Sequence, residues 1–367
     1  MRILHVSSAR TFGGGERHFV DLTRGLAARG HEVFAAFRPT CEWKHELDFL
    51  PHPNLYKVSI RNSFGILSAM RIADFVRENK IDIVHAHVAR DYIPASIACL
   101  ASNAEFVLTR HLMLPLKPFN RFALKNLCRA IAVSDGVAVE LRKVFPKEKI
   151  VVIHNGIDIT SRNIESRDDL RNEFRTFHGI PLDAPLIGTL GELKQLKGQR
   201  EFVLAAAEIT KTQPECRFVV VGRDNSADKK FRRDLKRLVE IMGLKGKFLW
   251  LDWLDDARPF HAGIDVFVSP SRSESFGLAM LEAIASGAPV VATETDGAKQ
   301  LLGMNGDLVP VEDPVALARA VDALIRDQKY SDEIAARGLK RAQTMFDVER
   351  MVVETEGLYE EILKEKR

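Results

Sequence analysis

Residues 270–289 of the chain read Pro-Ser-Arg-Ser-Glu-Ser-Phe-Gly-Leu-Ala-Met-Leu-Glu-Ala-Ile-Ala-Ser-Gly-Ala-Pro, and they contain two glutamates, Glu274 and Glu282. Glu274 follows a Pro/Ser turn, whereas Glu282 lies within an apolar run, so the pattern predicts one carboxylate on a loop and one on a helix. Because a helix rises about 1.5 Å per residue, the pair could lie up to roughly 12 Å apart and hold two ends of an extended ligand. The alternative is that Glu274 only complements the helix dipole and Glu282 is a surface residue.

Short apolar runs with the character of buried strands surround this stretch. In the second half of the chain they fall at residues 185–191, 217–222, 248–251, 265–269 and 289–293. In the first half they fall at residues 2–7, 31–37, 81–87, 106–109, 130–134 and 150–154. Helical patterns separate most of them, and this alternation predicts an α/β protein with parallel, doubly wound sheets.

The strand series restarts after a polar, charged stretch at about residues 158–183. A chain of 367 residues is also long for a single core, so two Rossmann-like domains are the economical interpretation. We expect an N-terminal domain over residues 1–165 and a C-terminal domain over 180–347, followed by a charged helix at 348–367. In open parallel sheets ligands bind beyond the carboxyl ends of the strands, which predicts a site in a central cleft that the two domains face.

Composition excludes several classes of protein. The first residues lack the long apolar core of a signal peptide, and no run is long enough to cross a bilayer, so we expect a cytoplasmic protein. The cysteines are scattered without a CxxC pair, which argues against a disulfide framework and a cysteine zinc site. Residues 1–160 carry seven excess cations, too few for a nucleic-acid surface but enough to attract a phosphorylated acceptor or an anionic membrane.

Three loops that follow predicted strands carry candidate ligand-binding groups. Gly13, Gly14 and Gly15 precede a helical pattern, where main-chain N–H groups can meet a pyrophosphate, although a simple tight turn is equally consistent. Lys197 could neutralise a diphosphate, and His111 could bind a sugar hydroxyl or assist proton transfer. For Lys197 the alternative is a solvated loop lysine.

His85 and His87 stand two residues apart on one predicted strand, and this spacing places both side chains on one face. The arrangement raises the possibility of a metal site. Apart from Asp91, no nearby carboxylate or cysteine completes a ligand set, so a polar strand end is the favoured role. We therefore predict no metal site.

These elements together resemble the retaining glycosyltransferases of family four, which have the GT-B fold, and the resemblance covers nearly the whole chain. The paired glutamates of residues 274–283 carry it most strongly. Supporting matches are Gly13-Gly14, Ala132-Val-Ser134, Asn155-Gly156-Ile157-Asp158, Lys197-Gly198 and the run at 285–293. The resemblance implies a metal-independent hexosyltransferase without cofactor that moves a sugar from a UDP- or GDP-linked donor to an acceptor hydroxyl in cell-envelope synthesis. It also implies that helix 348–367 packs back on the first domain.

The resemblance assigns roles residue by residue. Glu274 contacts the donor sugar, Glu282 holds the ribose hydroxyls, and His111 lies beside the sugar. The main chain of four consecutive residues meets the sugar and diphosphate: Ser275, Phe276, Gly277 and Leu278. Gly14 and Gly15 approach the diphosphate, for which Lys197 is the countercharge.

Two features depart from the family pattern. Glu192 stands where similar enzymes usually carry a diphosphate-binding arginine, so its carboxylate must turn away, be paired or meet a sugar hydroxyl. The run from Asp296 to Gln300 has one glycine where the family more often has two. Two other functions use a similar scaffold, namely a nucleotide-sugar epimerase and a non-catalytic nucleotide-sugar-binding protein.

The acceptor side is marked by residues 110–129, in which cations alternate with apolar side chains. Four of the cations recur at every fourth position, namely Lys117, Arg121, Lys125 and Arg129. This spacing predicts an amphipathic helix that could bind an anionic membrane surface and suit a lipid-linked acceptor, with the inner face of the cytoplasmic membrane as the expected site. An ordinary amphipathic helix with a solvated basic face is an equal alternative.

Overall fold

The computed structural model describes residues 1–60, 65–160, 167–303 and 306–366, which divide into two compact units. The first unit comprises Met1–Gly156 together with Val348–Arg367, and the second comprises Ile157–Asp347. The N-terminal segment of the first unit therefore ends at Gly156, while the expected boundary at residue 165 lies outside the described residues.

A parallel sheet forms the centre of the first unit, and its strand order is β3-β2-β1-β4-β5-β6-β7. The strands are β1 (Arg2–Ser7), β2 (Glu32–Phe37), β3 (Leu55–Lys57), β4 (Ile83–Ala86), β5 (Glu105–Arg110), β6 (Leu127–Ala132) and β7 (Ile150–Val152). The helices of this region are α1 (Gly14–Ala28), α2 (Ile66–Glu78), α3 (Tyr92–Ser102), α4 (Asn120–Ala123) and α5 (Asp135–Arg142). The order reverses between β1 and β4, so the loops after these strands lie where Rossmann-like sheets bind ligands.

The second unit repeats this design with the strand order β10-β9-β8-β11-β12-β13. Its strands are β8 (Leu186–Leu190), β9 (Arg217–Val221), β10 (Phe248–Leu251), β11 (Val266–Ser269), β12 (Val290–Thr293) and β13 (Asp307–Val309). Its helices are α6 (Arg167–Phe177), α7 (Gln199–Thr212), α8 (Lys230–Ile241), α9 (Arg258–Gly263), α10 (Leu278–Ala285), α11 (Asp296–Leu302), α12 (Pro314–Arg326) and α13 (Gln328–Met345). Here the order reverses between β8 and β11. The two doubly wound parallel sheets confirm the predicted α/β class.

The last helix, α14 (Val348–Lys366), packs on α1 of the first unit. Gly25 permits the close approach, because a Cβ at this position would lie 2.3 Å from Val352 Cγ2. Arg29 forms ion pairs with Glu349 and Glu356 of α14, at 2.7 and 2.6 Å. Small residues and matched charges thus attach a sequence-distant helix to the first unit.

The prediction of an amphipathic helix across residues 110–129 was wrong. A four-residue helix, α4, is present there, and Arg129 lies in β6, where it forms ion pairs with Glu361 and Glu365 of α14. Pro115 and Pro118 explain the difference, since proline lacks an N–H donor and restricts the residue before it to extended conformations. In the described part of the chain, no helix is both long and apolar enough to span a membrane.

Candidate functional site

Two loops at the switch point of the second sheet are fixed to one another. The loop after β8 ends at Gly198, and the loop after β11 begins at Pro270. Gly198 has a φ of +67°, and a Cβ there would lie 1.8 Å from the Pro270 carbonyl oxygen. The Arg272 amide also donates to the Leu196 carbonyl at 2.9 Å. Only glycine fits this junction, which sets the positions of the two side chains that follow.

Those side chains are Lys197 and Glu274, and they form an ion pair. Lys197 Nζ lies 2.5 Å from Glu274 Oε2, with 26% and 14% of the two side chains exposed. The structure therefore brings together the predicted diphosphate countercharge and the predicted sugar-binding carboxylate. Partial burial makes such a pair stronger than one fully in water.

The chain between Glu274 and α10 is held from both sides. Gly277 is the N-cap of α10 with a φ of +98°, and the Phe276 ring is buried against Phe346, with centroids 5.6 Å apart. Gly297 donates to the Glu274 carbonyl at 2.9 Å, and a Cβ on it would lie 2.7 Å from the Phe276 backbone. The one glycine of the 296–300 run is thus at the position where close approach is needed.

The start of α10 is suited to an anion. Because Gly277 has no side chain to cap the helix, the first-turn amides that begin at Leu278 are open to a ligand. Ser275 lies just before this turn, and Glu282 follows one turn later. His261 Nε2, which is buried, lies 3.7 Å from Glu282 Oε2.

Glu192, in the loop after β8, is paired with one residue of its own loop and one of the loop after β9. Lys194 Nζ contacts Glu192 Oε2, and Asn225 Nδ2 donates to Oε1 at 3.2 Å. Although burial acts in the opposite direction, these hydrogen bonds hold the pKa of Glu192 below its ordinary value. Glu192 is therefore charged near neutral pH. Of the three outcomes expected for its carboxylate, the structure shows the paired one.

In the first unit, α1 begins with a glycine cap after β1. Gly13 is its N-cap, and the Glu16 carboxylate reaches back to the Gly13 backbone, as in a capping box. Burial raises the pKa of Glu16 to about 6. This capping contact is made to the main chain at Gly13 and Glu16, which leaves the amides of Gly14 and Gly15 as candidates for ligand contact.

His111 follows β5 and lies against the same turn. A Cβ on Gly15 would stand 3.6 Å from the His111 ring, so the structure brings together these two predicted residues. Burial and the nearby His18 and Arg110 hold the pKa of His111 well below its ordinary value. A neutral imidazole can donate one hydrogen bond and accept another at pH 7.

His111 belongs to a cluster of five imidazoles that no pattern in the sequence indicated. The other members, which are all buried, are His5, His18, His85 and His87. The cluster comes from β1, α1, β4 and the loops after β4 and β5. Asp91 was also undervalued: it is buried, accepts a hydrogen bond from the Ser8 amide at 2.7 Å, and burial raises its pKa to about 6.

Comparison with known proteins gives consistent matches for both units. The sequence profile described as Glycosyltransferase Family 4 matches residues 12–161, and the profile described as Glycosyl transferases group 1 matches residues 184–327. D-inositol 3-phosphate glycosyltransferase of Corynebacterium urealyticum is 33% identical over 78% of this chain and 75% of its own. The lipopolysaccharide core biosynthesis glycosyltransferase LpsE of Rhizobium meliloti is 28% identical over 92% of this chain and 93% of its own.

Among solved structures, Anabaena HepE in complex with UDP and glucose superposes with a TM-score of 0.88. It is 21% identical, and the match covers 98% of this chain and 100% of HepE. The predicted GT-B fold is confirmed by this likeness. The chain belongs to the group 1 glycosyltransferases of family four, and it is a glycosyltransferase.

Proposed function

We propose that this enzyme transfers a hexose from a nucleoside diphosphate sugar, UDP- or GDP-linked, to an acceptor hydroxyl with retention of anomeric configuration. The observation that carries the proposal is the Lys197–Glu274 pair beside the open N-terminus of α10. A cation, main-chain amides and a carboxylate are the groups that a diphosphate joined to a sugar requires. The complex of HepE with UDP-glucose gives a precedent for such a donor on this fold.

In this proposal the second unit supplies most of the groups that bind the nucleotide-sugar donor. The amides from Ser275 to Leu278 bind the diphosphate and sugar, and Lys197 neutralises the phosphate charge that grows as the bond to the sugar breaks. Glu274 accepts hydrogen bonds from sugar hydroxyls, and Glu282 accepts them from the ribose. In the first unit, the amides of Gly14 and Gly15 bind the diphosphate, and His111 donates to the sugar.

Transfer then proceeds on one face of the sugar. The bond from the anomeric carbon to the phosphate oxygen breaks, the acceptor oxygen bonds to that carbon from the same side, and the leaving phosphate takes the acceptor proton. This route needs no carboxylate nucleophile, so Glu274 positions the sugar. It also needs no metal, because Lys197 and the amides supply the stabilisation.

A donor panel tests the proposal. The protein is incubated with UDP-, GDP- and ADP-sugars, with and without candidate envelope glycolipid acceptors, and product configuration is read by NMR. Acceptor-dependent release of nucleoside diphosphate that persists in EDTA, with a retained product, is expected. An epimerised donor, or binding without turnover, contradicts transfer and supports one of the two alternatives.

We also propose that the acceptor is lipid-linked and that the segment 110–129 binds an anionic membrane surface. Support comes from exposed apolar side chains set among exposed cations, with no acidic residue between His111 and Lys125. Leu114 is 63% exposed and Phe122 is 75% exposed. The name of LpsE, a lipopolysaccharide core enzyme, agrees with an envelope acceptor.

A further inference from the structure

Three histidines of the first unit converge on one point, and we call them the histidine triad: His18, His87 and His111. They come from α1, the loop after β4 and the loop after β5. One ring nitrogen of each lies within 4.8 Å of the others. Convergence of three imidazoles from three separate elements is the donor set that borderline transition metals prefer.

His18 supplies the independent sign of a ligand. Its side chain is 2% exposed, and neither ring nitrogen makes a hydrogen bond of good geometry among the described residues. The Asn155 side chain is close enough to act as a weak partner and to raise the pKa of His18 against the larger effect of burial. One amide can satisfy at most one of the two ring nitrogens, and since buried polar atoms are normally satisfied, the other indicates that a ligand completes this place.

His87 has one ring nitrogen engaged within the core and one that is not. Its Nε2 lies 3.0 Å from His5 Nδ1, while its Nδ1 has no hydrogen-bond partner among the described residues. If Nε2 donates to His5, the lone pair of His87 is on Nδ1. A hydrogen bond on the far ring nitrogen is the usual support of a metal-bound histidine.

A second group, formed by His5, His85 and His87, does not suit a metal. His85 Nδ1 lies 2.5 Å from the Tyr359 hydroxyl, and His85 Nε2 lies 2.7 Å from Thr109 Oγ1. Both nitrogens of His85 are therefore engaged in hydrogen bonds within the core. The histidine triad is therefore the better ligand set for a metal ion.

We propose that the histidine triad is a Zn²⁺ site, with water as a fourth ligand. Zn–N bonds of about 2.0–2.1 Å place tetrahedral nitrogens about 3.3 Å apart, so nitrogens that now lie within 4.8 Å of one another need to close by up to about 1.5 Å. The site does not depend on the proposed function. If that function also holds, Zn²⁺ inhibits transfer by occupying His111.

Titration calorimetry with ZnCl₂ alone tests the site on the full chain, without a polyhistidine tag and after treatment with EDTA and desalting. One Zn²⁺ per chain is expected to bind. Affinity should fall by at least roughly tenfold in His18→Gln and in His87→Gln. His45→Gln is the matched control, because the His45 side chain is 71% exposed and lies outside the triad; its affinity should be unchanged.

Circular dichroism establishes whether each variant folds. If the His18 variant does not fold, the visible spectrum of Co²⁺ bound to the unsubstituted protein tests the site instead. Four-coordinate Co²⁺ absorbs visible light far more strongly than six-coordinate Co²⁺. An intense visible band supports the triad. A weak six-coordinate spectrum, no Zn²⁺ binding by the unsubstituted protein, or an unchanged Zn²⁺ affinity in the folded His18 and His87 variants overturns it. Because binding is read without donor or acceptor, failure here is distinct from failure of the proposed transfer.

Discussion

Lys197 Nζ and Glu274 Oε2 lie 2.5 Å apart although their residues are 77 positions apart in the chain. The junction of Gly198 with Pro270 holds the two loops that carry them. Each charge therefore keeps the other in position before a ligand binds. In the proposed function, a bound diphosphate draws Lys197 toward itself and so releases Glu274 for the sugar hydroxyls.

Replacement of Glu274 by Gln should lower turnover by roughly 10²-fold or more, as expected for loss of a group that positions the reacting sugar. The measurement is acceptor-dependent release of nucleoside diphosphate with the donor that the panel identifies. Glu294→Gln is the control, since Glu294 belongs to the same unit and pairs with Lys299 at 3.2 Å. Normal transfer by the Glu274 variant would remove it from the catalytic site.

The loop after β8 offers a matched pair of lysines. Lys197→Met should weaken binding of the free nucleoside diphosphate by about 1.5–3 kcal/mol, the range for a hydrogen bond to a charged group. Lys194→Met should change it little, because Lys194 pairs with Glu192. Calorimetry on both variants makes the comparison. Equal losses would mean that the loop acts only through its general charge.

Substitution of two glycines in the second unit distinguishes the cost of backbone strain from the cost of a steric clash. Gly198 and Gly243 have φ of +67° and +71°, but a Cβ on Gly243 would meet no described atom within 4 Å. Gly198→Ala should therefore destabilise the protein by at least about 2 kcal/mol more than Gly243→Ala. Urea unfolding measures the difference. Similar losses would show that the Pro270 junction can relax.

The sequence was informative wherever local pattern decides structure. Every strand inferred from an apolar run is present within a few residues, because a buried parallel strand needs a continuous apolar stretch. The three-residue strands β3 and β13 were missed because each contains a charged residue that interrupts the apolar run, whereas the equally short β7 is wholly apolar and was found. Helix α6 lies in the stretch that was described from the sequence only as polar and charged, although Arg175 of this helix is buried in an ion pair with Asp265.

Long-range contacts explain what the sequence could not provide. The five histidines span positions 5 to 111 and meet only through the sheet order. The pairing of Glu192 with Asn225 likewise depends on the neighbouring loop after β9. At residues 110–129 the spacing of cations suggested a helix, but Pro115, Pro118 and the edge of β6 determined the backbone.

The buried histidines should make the first unit sensitive to acid. Burial lowers the pKa of all five imidazoles, to about 3 for His5 and about 4 for His18. Below pH 6.5 the unfolded chain binds these protons and the folded chain does not, so the free energy of unfolding falls as pH falls. Glu16 and Asp91 act in the opposite direction below about pH 6, because their pKa values are raised in the folded state.

Five histidines outweigh two acids, and each net proton contributes up to about 1.4 kcal/mol per pH unit. Stability should therefore drop steeply between pH 6.5 and pH 4. Urea unfolding of the first unit can be followed by tryptophan fluorescence. In a double variant with Trp250→Phe and Trp253→Phe, the one remaining tryptophan is Trp43 of the first unit. His18→Gln should reduce the slope. A flat profile over this range would mean that the cluster is already protonated when folded.

The segment 110–129 should bind anionic vesicles through apolar insertion and charge together. Phe119 and Phe122 are 51% and 75% exposed and flank Arg121. Their joint replacement by Ser should weaken binding to phosphatidylglycerol vesicles by roughly 1–2 kcal/mol for each ring, since the apolar area buried in the lipid is lost. Co-sedimentation at fixed ionic strength measures this loss.

Charge and site specificity are tested by two further variants. Replacing Lys117, Arg121 and Lys125 by Gln should cost about 1 kcal/mol for each cation and remove the preference for anionic over zwitterionic lipid. Phe177→Ser is the matched control, because Phe177 is 83% exposed but lies in the second unit. Its binding should equal that of the unsubstituted chain. An equal loss in the Phe177 variant, or unchanged binding in the other two, would contradict membrane docking through this segment.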